Sequence, residues 1–369
     1  MQYKEYKDGI RLSKLGMGAM RLPVRADGEG RPIDLEKARQ IIDRAMAAGI
    51  NYYDTAYIYH GGKSEPFLGE ALAKYPRNSF YVADKFNLEA NPDYRGQFAE
   101  QLERLQMEYI DFYLLHGIND ASIDSFLTNG CIDYFTQLKE EGKIRNLGFS
   151  YHGSPENMKR LLAAHVWDFV QIQLNYYDWY FGNAKEMYES LTEAGIPIMV
   201  MEPVHGGMLA NMCDESNALL KDADVSRSIA SWAIRWVMGL ENVQVILSGM
   251  TTMEQLEDNL ATVSESAPLS EAEQELVRKA VPLHRGTVTA PCTACRYCCT
   301  DCPMGLDIPR LLKAYNEYKI GGAWRLSSLK ALPEDKRPAA CVGCGECIRH
   351  CPQSINVPAL MQEMAEKMK

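Results

Sequence analysis

The sequence predicts an α/β fold, a closed (β/α)8 TIM barrel, followed by a small and largely helical domain. Over roughly the first 270 residues, short apolar runs alternate with amphipathic stretches about eight times, which indicates parallel strands joined by helical crossovers. Eight such units in roughly 250 residues favour a closed barrel over an open sheet. An open doubly wound sheet stays the alternative, although no G-x-G-x-x-G motif follows the first strand. Near the C-terminus a cysteine motif occurs twice, which predicts a second domain with two related halves.

The barrel elements are predicted from apolar runs and helix caps. A hairpin is expected around residues 7–9, and Asp34 is expected to cap the first long helix, which ends before Gly49. The barrel strands are predicted at residues 15–20, 52–54, 80–85, 109–116, 146–150, 169–173, 198–202 and 243–247. Helices are predicted between them at 65–74, 94–105, 132–141, 155–164, 184–194, 227–237 and 253–263. A linker helix at 271–280 leads into the second domain.

Length and composition limit the classes of function. The 369 residues allow two domains, predicted as 1–280 and 281–369. The net charge of -10 argues against a nucleic-acid partner, because a phosphate-binding surface normally needs a basic excess. No apolar stretch has membrane-spanning length, so no membrane association is expected. The first residues show no apolar signal segment, and we expect a cytoplasmic location.

The cysteine motif reads C-x2-C-x2-C-x3-C-P in both copies, the spacing of bacterial two-cluster ferredoxins. The eight cysteines are Cys292, Cys295, Cys298, Cys302, Cys341, Cys344, Cys347 and Cys351. This spacing predicts two [4Fe-4S] clusters in a ferredoxin-like domain, each held by three cysteines of one run and the fourth of the other. Cys351 is thus expected to complete the first cluster and Cys302 the second. A zinc site would instead show separated C-x2-C pairs.

Polar residues at the predicted strand ends suggest redox chemistry. Asp54, Lys85 and His116 end the second, third and fourth barrel strands, and Tyr59 follows on the adjoining loop. Active sites of such barrels lie at the C-terminal ends of the strands. Carbonyl reduction by hydride needs a proton donor for the developing alkoxide. A tyrosine beside an ammonium can supply that proton, because the positive charge lowers the pKa of the phenol.

Three segments resemble the aldo/keto reductase family over about residues 1–265. Residues 51–65 (NYYDTAYIYHGGKSE) are similar to its D-T-A-x-x-Y-G segment, 81–86 (YVADKF) to its lysine strand and 110–117 (IDFYLLHG) to its histidine strand. The resemblance implies Tyr59 as general acid and Lys85 as the group that lowers its pKa. It further implies Asp54 as the partner of Lys85, and His116 as the group that orients the carbonyl.

The same resemblance implies a nicotinamide cofactor, NADP or NAD, and a small carbonyl or alcohol substrate. The implied cofactor-binding residues are Ser150, Gln171, Met201, Gly249, Gln255 and Asn259. Met201 takes the place of an aromatic residue that stacks on the nicotinamide ring. Residues 246–260 lack the basic side chains that often bind the 2′-phosphate of NADP, so the choice between NADP and NAD stays open.

Three functions remain open from the sequence. The protein could reduce a carbonyl, or oxidise an alcohol, with NAD(P)H while its clusters serve docking or stability. It could be an electron-transfer oxidoreductase that passes single electrons between a partner ferredoxin or flavoprotein and a cofactor in the barrel. Because hydride transfer moves two electrons and a cluster moves one, a flavin is then a further candidate cofactor. It could also be a cluster-stabilised redox-sensing or binding module.

Overall fold

The computed structural model describes residues 1–25 and 32–368. The chain forms two compact units, Met1–Pro203 with Ser231–Ser270, and Val204–Ala230 with Glu271–Lys369. The division into domains 1–280 and 281–369 stays a prediction, and its positions 26–31 and 369 lie outside the described residues. Among the described residues, no helix is both long and apolar enough to cross a membrane.

The first unit contains a closed parallel barrel, as predicted, and the open-sheet alternative is wrong. A short antiparallel hairpin precedes it, formed by β1 (Tyr3–Glu5) and β2 (Arg11–Ser13). The barrel strands are β3 (Leu15–Gly18), β4 (Tyr52–Asp54), β5 (Tyr81–Phe86), β6 (Ile110–Ile118), β7 (Ile144–Tyr151), β8 (Phe169–Gln173), β9 (Ile198–Met201) and β10 (Val243–Ser248). Each strand pairs with the next in parallel, and β10 returns to β3 to close the barrel.

Helices follow the strands. They are α1 (Leu35–Ala47), α2 (Ser64–Leu72), α3 (Tyr94–Leu105), α4 (Ile123–Thr128), α5 (Cys131–Glu140), α6 (Pro155–Ala164), α7 (Tyr176–Phe181), α8 (Ala184–Glu193), α9 (Asp214–Ala223), α10 (Ile229–Met238) and α11 (Met253–Glu265). The Asp34 side chain accepts a hydrogen bond from Lys37 N, so the predicted cap of α1 is confirmed. The sequence did not predict three of these helices, α4, α7 and α9.

Apolar side chains fill the lower half of the barrel interior and leave its upper end for chemistry. Tyr52, Phe112, Phe169 and Met199 belong to one buried core cluster, in which the Phe112 and Phe169 ring centroids are 5.2 Å apart. Leu12 of the hairpin joins this cluster and closes the N-terminal end. Asp54, Lys85 and His116 lie above this apolar cluster, at or near the C-terminal ends of β4, β5 and β6.

The second unit is small and helical, as predicted. Its described part from residue 271 onward contains α12 (Glu271–Arg285), α13 (Tyr297–Thr300), α14 (Ile308–Gly321), α15 (Glu346–Arg349) and α16 (Val357–Lys367). Residues Ala323–Ala331 form a 3-10 helix. Leu311, Leu326 and Met361 contribute to a separate apolar core that also includes cysteines of both runs. This unit therefore has a core of its own around the cysteine-bearing loops.

Candidate functional site

Asp54 and Lys85 form a buried ion pair at the C-terminal end of the barrel. Asp54 ends β4 and Lys85 is the penultimate residue of the adjacent β5, and Lys85 Nζ lies 2.6 Å from Asp54 Oδ1. Lys85 Nζ also donates to the carbonyl of Thr55 at 2.5 Å. Lys85 is only 1% exposed and Asp54 4%. The ammonium is therefore held in one place by a charge and a carbonyl, without competition from water.

Tyr59 lies on the loop between β4 and α2, and the loop directs its ring into the site. The Tyr59 carbonyl accepts hydrogen bonds from Gly62 N and Ser64 N, and Gly61 and Gly62 adopt positive φ in this tight turn. Lys85 Nζ is 4.9 Å from the centroid of the Tyr59 ring. A cation at this distance stabilises the phenolate form of a tyrosine.

His116, near the end of β6, completes the set of four. Its ring meets the Tyr59 ring edge-on, with centroids 5.9 Å apart. Burial, then the charge of Lys85 and the proximity of His152, hold the pKa of His116 well below its ordinary value. The imidazole is therefore neutral at neutral pH and can donate one hydrogen bond and accept another. Asn87 Nδ2 lies 3.4 Å from Nδ1 of this ring.

Two of the expected nicotinamide contacts lie on neighbouring strands of the barrel. Ser150 on β7 and Gln171 on β8 are paired in the strand register, and both are buried. Ser150 Oγ accepts a hydrogen bond from Gly117 N at 2.7 Å. Gln171 Oε1 is buried and has no hydrogen-bond partner among the described residues. An unpartnered buried carbonyl is costly, and a carboxamide N–H2 group would satisfy it, so these residues fit a nicotinamide.

Arg21 is a basic residue near the expected pyrophosphate side that the sequence did not reveal. A Cβ on Gly249 would lie only 2.9 Å from Cβ and Cδ of Arg21, so glycine lets the arginine side chain lie against the backbone there. Thr251 Oγ1 donates to the carbonyl of Arg21 at 2.8 Å, and Arg21 pairs with Glu202 at 3.5 Å. The segment itself lacks basic residues, but the loop after β3 supplies one.

Other expected cofactor residues take part in local structure. Gln255 completes a capping box with Thr252 at the start of α11, and its side chain is exposed. Asn259 is buried and donates to Ser248 Oγ at 3.0 Å. Met201, the last residue of β9, is half-buried. These positions can border a cofactor. In the structure, however, the side chains of Gln255 and Asn259 already form hydrogen bonds within the protein.

The second unit places cysteines of the two runs together. Cys302 lines one cavity with the first three cysteines of the other run; its volume is about 360 Å³, partly open to solvent. The cysteines concerned are Cys302, Cys341, Cys344 and Cys347. Burial, and then the neighbouring thiols of Cys341, Cys344 and Cys302, raise the pKa of Cys347 to about 11. The donor set matches the four thiolates that a [4Fe-4S] cluster needs.

The first three cysteines of the other run form a separate group. Cys298 is buried, and its pKa is raised by a hydrogen bond with Cys299, by burial and by the thiols of Cys295 and Cys292. In residues 1–25 and 32–368, no three His, Cys, Asp or Glu side chains converge on a point that would hold a single metal ion. Spaced thiols suit a cluster, which takes one thiolate for each iron.

Comparison with known proteins identifies both parts of the chain. Residues 14–281 match the model of the aldo/keto reductase family. The chain belongs to the aldo/keto reductase family. Residues 291–355 match the model of the 4Fe-4S dicluster domain, so this aldo/keto reductase carries a ferredoxin-like iron–sulfur domain after its barrel.

Similar proteins cover the barrel of this aldo/keto reductase. "Probable aldo-keto reductase 1" of Glycine max is 27% identical over 313 residues, which are 74% of this chain and 87% of that protein. "NADH-specific methylglyoxal reductase" of Escherichia coli is 27% identical over 322 residues, 73% of this chain and 95% of that protein. The holo form of the aldo-keto reductase AKR11C1 from Bacillus halodurans is 27% identical, with a TM-score of 0.64 over 76% of this chain and 96% of its own.

The four residues expected from the aldo/keto reductase resemblance thus lie together at one end of the barrel. Sequence reasoning missed two neighbours of His116, which are Asn87 and His152, and it also missed Arg21 beside Gly249. His152 directly follows β7 and contributes to the low pKa of His116. Its position two residues after Ser150 was visible, but nothing in the spacing showed that the chain returns toward β6, where His152 N donates to the Ile118 carbonyl at 2.8 Å.

Proposed function

We propose that this protein is an NAD(P)H-linked carbonyl reductase, able to work in reverse as an alcohol dehydrogenase, and that it carries two [4Fe-4S] clusters. The observation that carries the proposal is the convergence of Tyr59 and His116 above the buried Asp54–Lys85 pair. A nicotinamide supplies hydride to the carbonyl carbon when it is bound. The protein's own residues must then deliver a proton to the carbonyl oxygen.

Tyr59 is the proposed proton donor. Its phenol lies between the two groups that a donor requires, a cation that stabilises the phenolate and an imidazole that can bind the same oxygen. The Lys85 ammonium lowers the cost of releasing the proton, and Asp54 keeps that ammonium in place. The neutral His116 orients the carbonyl oxygen without adding a positive charge that would repel Lys85.

The proposed coenzyme contacts follow from polar groups near the barrel end. Gln171 Oε1 is the proposed acceptor for the carboxamide N–H2 group, beside Ser150. Arg21 is the proposed cation for the pyrophosphate, which would compete with Glu202 for the guanidinium. The similarity to the NADH-specific methylglyoxal reductase of Escherichia coli supports NADH as one coenzyme and methylglyoxal as a probe substrate.

The test compares two tyrosine variants on one loop. Tyr59→Phe removes the proposed acid, and methylglyoxal reduction by NADH or NADPH should fall at least about a hundredfold. Tyr57→Phe is the matched control, because the Tyr57 hydroxyl donates instead to Glu100 Oε2 at 2.8 Å. Near-normal turnover of Tyr59→Phe would exclude the proposed acid role.

A second candidate is an electron-transfer oxidoreductase, favoured by one feature of the second unit. After β9 the chain enters this unit at Val204, and the backbone of Gly206 packs against Thr293, beside Cys292, with no room for a side chain. Within the second unit, Gly206 is thus packed against the loop that carries Cys292. Anaerobic addition of NADH or NADPH decides: bleaching of cluster absorbance without a mediator supports this candidate. Carbonyl turnover without bleaching supports the first.

A further inference from the structure

Side chains bind the backbone N–H and carbonyl groups of the proposed catalytic Lys85, at a point where the neighbouring strand β4 has already ended. Strand β4 ends at Asp54, whose register partner on β5 is Ala83, so Lys85 extends past the end of its neighbour. Its backbone N–H donates to Asp84 Oδ1 at 2.8 Å. Its carbonyl accepts from Gln101 Nε2 at 3.0 Å. Both backbone groups of Lys85 therefore depend on side chains.

Gln101, on α3, is fully buried and uses both ends of its amide. Its Nε2 group donates to Glu65 Oε1 at 2.9 Å, in addition to the Lys85 carbonyl. Its Oε1 accepts from the Tyr113 hydroxyl at 2.5 Å. Arg104 donates to the other oxygen of Glu65 at 2.8 Å. Because both ends of the Gln101 amide have partners, the amide cannot rotate. A substitution at Gln101 removes its hydrogen bond to the Lys85 carbonyl.

Asp84 adds a second carboxyl to this buried group. Burial, and then the negative charge of Glu65, raise the pKa of Asp84 well above its ordinary value. The group thus combines the Asp84 carboxyl, whose protonated form is favoured, with the ion pair between Glu65 and Arg104. A neutral acid can accept from Lys85 N while its hydroxyl donates to Glu65.

We propose that three buried residues, Gln101, Glu65 and Asp84, act together as a positioning unit. They fix where the Lys85 ammonium lies relative to the Tyr59 ring. This inference rests on the proposed function, because it concerns the same reaction. The Lys85 side chain is fully buried and its ammonium contacts Asp54 and the Thr55 carbonyl, so a shift of the end of β5 would displace the ammonium from these partners. A displacement of about 1 Å in such a site can cost up to about a hundredfold in rate.

Gln101→Leu tests the inference, because leucine keeps the bulk and removes every hydrogen bond. We expect kcat for carbonyl reduction to fall about tenfold while KM for the nicotinamide coenzyme stays unchanged. In the pH profile of kcat, the alkaline limb should move to higher pH by about one unit, because Lys85 stabilises the phenolate of Tyr59 less well in this variant. Asp84→Leu should act similarly, and Asp84→Asn should restore the wild-type limb, because an amide can accept from Lys85 N and donate to Glu65.

Asp111→Asn is the matched control, because Asp111 on β6 also holds a backbone N–H of β5 with its carboxylate. Asp111 Oδ2 accepts from Val82 N at 2.8 Å and pairs with Arg77 at 2.6 Å, at the other end of β5. This variant should lower the midpoint of denaturant unfolding, and the alkaline limb of its pH profile of kcat should stay at the wild-type pH. An equal shift of the limb in Asp111→Asn would overturn the inference, since general destabilisation would then explain the effect.

Two further outcomes separate this inference from the proposed function. If Tyr59→Phe is inactive but Gln101→Leu has wild-type kcat and pH limb, the positioning role is wrong and the proposed acid stands. If Tyr59→Phe stays active, the proposed function itself is wrong. Should Gln101→Leu fail to fold, Tyr113→Phe takes its place, because it removes only the hydroxyl that holds Gln101 Oε1. Tyr113→Phe should move the alkaline limb to higher pH by less than one unit. An unchanged alkaline limb in this variant would overturn the inference.

Discussion

Lys85 Nζ lies 2.6 Å from Asp54 Oδ1, and both side chains are shielded from solvent by the barrel. Burial raises the pKa of Asp54, and the Lys85 charge opposes that rise. Neither charge is solvated by water, so each depends on the other. This dependence makes the pair sensitive to the loss of either partner, in stability as well as in rate.

Asp54→Asn should therefore destabilise the protein and slow it. Removing one partner of a buried ion pair typically costs about 3–5 kcal/mol, because the other charge is left without compensation. We expect the free energy of unfolding to fall by this amount, which lowers the denaturant midpoint. We also expect kcat for carbonyl reduction to fall at least about tenfold. Anaerobic unfolding and steady-state kinetics measure the two effects.

Asp43→Asn is the matched control for this prediction. Asp43 also pairs with a lysine, Lys74 at 2.7 Å, but both side chains are largely exposed. Exposed pairs contribute little because water and salt screen them. Asp43→Asn should leave both measurements near those of the wild type. Equal losses in the two variants would mean that the buried pair has no special role.

Gln171→Leu should weaken coenzyme binding without changing the clusters. The variant removes the unpartnered buried Oε1, the proposed acceptor for the carboxamide. Loss of one hydrogen bond to a buried group corresponds to about 1.4 kcal/mol, or about tenfold in the dissociation constant of NADH or NADPH. Titration followed by coenzyme fluorescence measures this change, and the visible absorbance of the clusters should be unaltered.

Gln244→Leu is the control for Gln171→Leu. Gln244 also lies on a barrel strand, is buried, and has an Oε1 atom without a hydrogen-bond partner among the described residues. It lies near the start of β10, away from the C-terminal ends of the strands. Its replacement should leave coenzyme affinity unchanged. A tenfold loss in both variants would assign the effect to the barrel as a whole.

The residues that could be predicted are those whose role is fixed by local sequence. Asp54, Lys85 and His116 each lie at or near the C-terminal end of a strand, and the parallel strands of a barrel bring these ends together. The cap at Asp34 and the spacing of the cysteines are likewise local. These features need only the order of elements along the chain.

Arg21 and Gln101 could not be predicted, because their contacts depend on tertiary packing. Arg21 reaches Gly249 across the seam where β3 meets β10, which only barrel closure brings together. Gln101 is one of several polar residues on α3, and its contact with Lys85 depends on the rotation of that helix against the barrel. Periodicity identified α3 as amphipathic, but a buried glutamine on its inner face conflicts with that pattern.

Crossed ligation of the clusters predicts a specific pattern of iron loss. Cys302→Ser should remove the cluster it shares with the second cysteine run, so iron falls from about eight to about four per chain. Cys299→Ser should retain all of it, because Cys299 lies outside the predicted ligand set. Iron analysis of anaerobically purified protein measures both. Full iron content in Cys302→Ser would contradict its place as a ligand.

Double variants test the crossing itself. If Cys302 and Cys344 serve one cluster, Cys302→Ser with Cys344→Ser should still hold about four irons, whereas Cys302→Ser with Cys295→Ser should lose both clusters. Ligation within each run predicts the reverse outcome for the two pairs. The cavity that joins Cys302 to Cys344 favours the crossed arrangement.

His152 should make the end of β7 less stable in acid. Burial lowers the pKa of His152 to about 4, whereas an unfolded chain has the ordinary value near 6.5. Between these values the unfolded chain binds a proton that the native protein does not. Stability is therefore fully present above about pH 6.5 and is lost as the pH falls toward 4, by up to about 1.4 kcal/mol per pH unit. His152→Gln should reduce this loss, although His116, whose pKa is also lowered, keeps part of it. Hydrogen exchange of β6 and β7 amides at pH 7 and pH 5 measures the effect, and equal acid sensitivity in both proteins would show that His152 is not neutral in the native barrel.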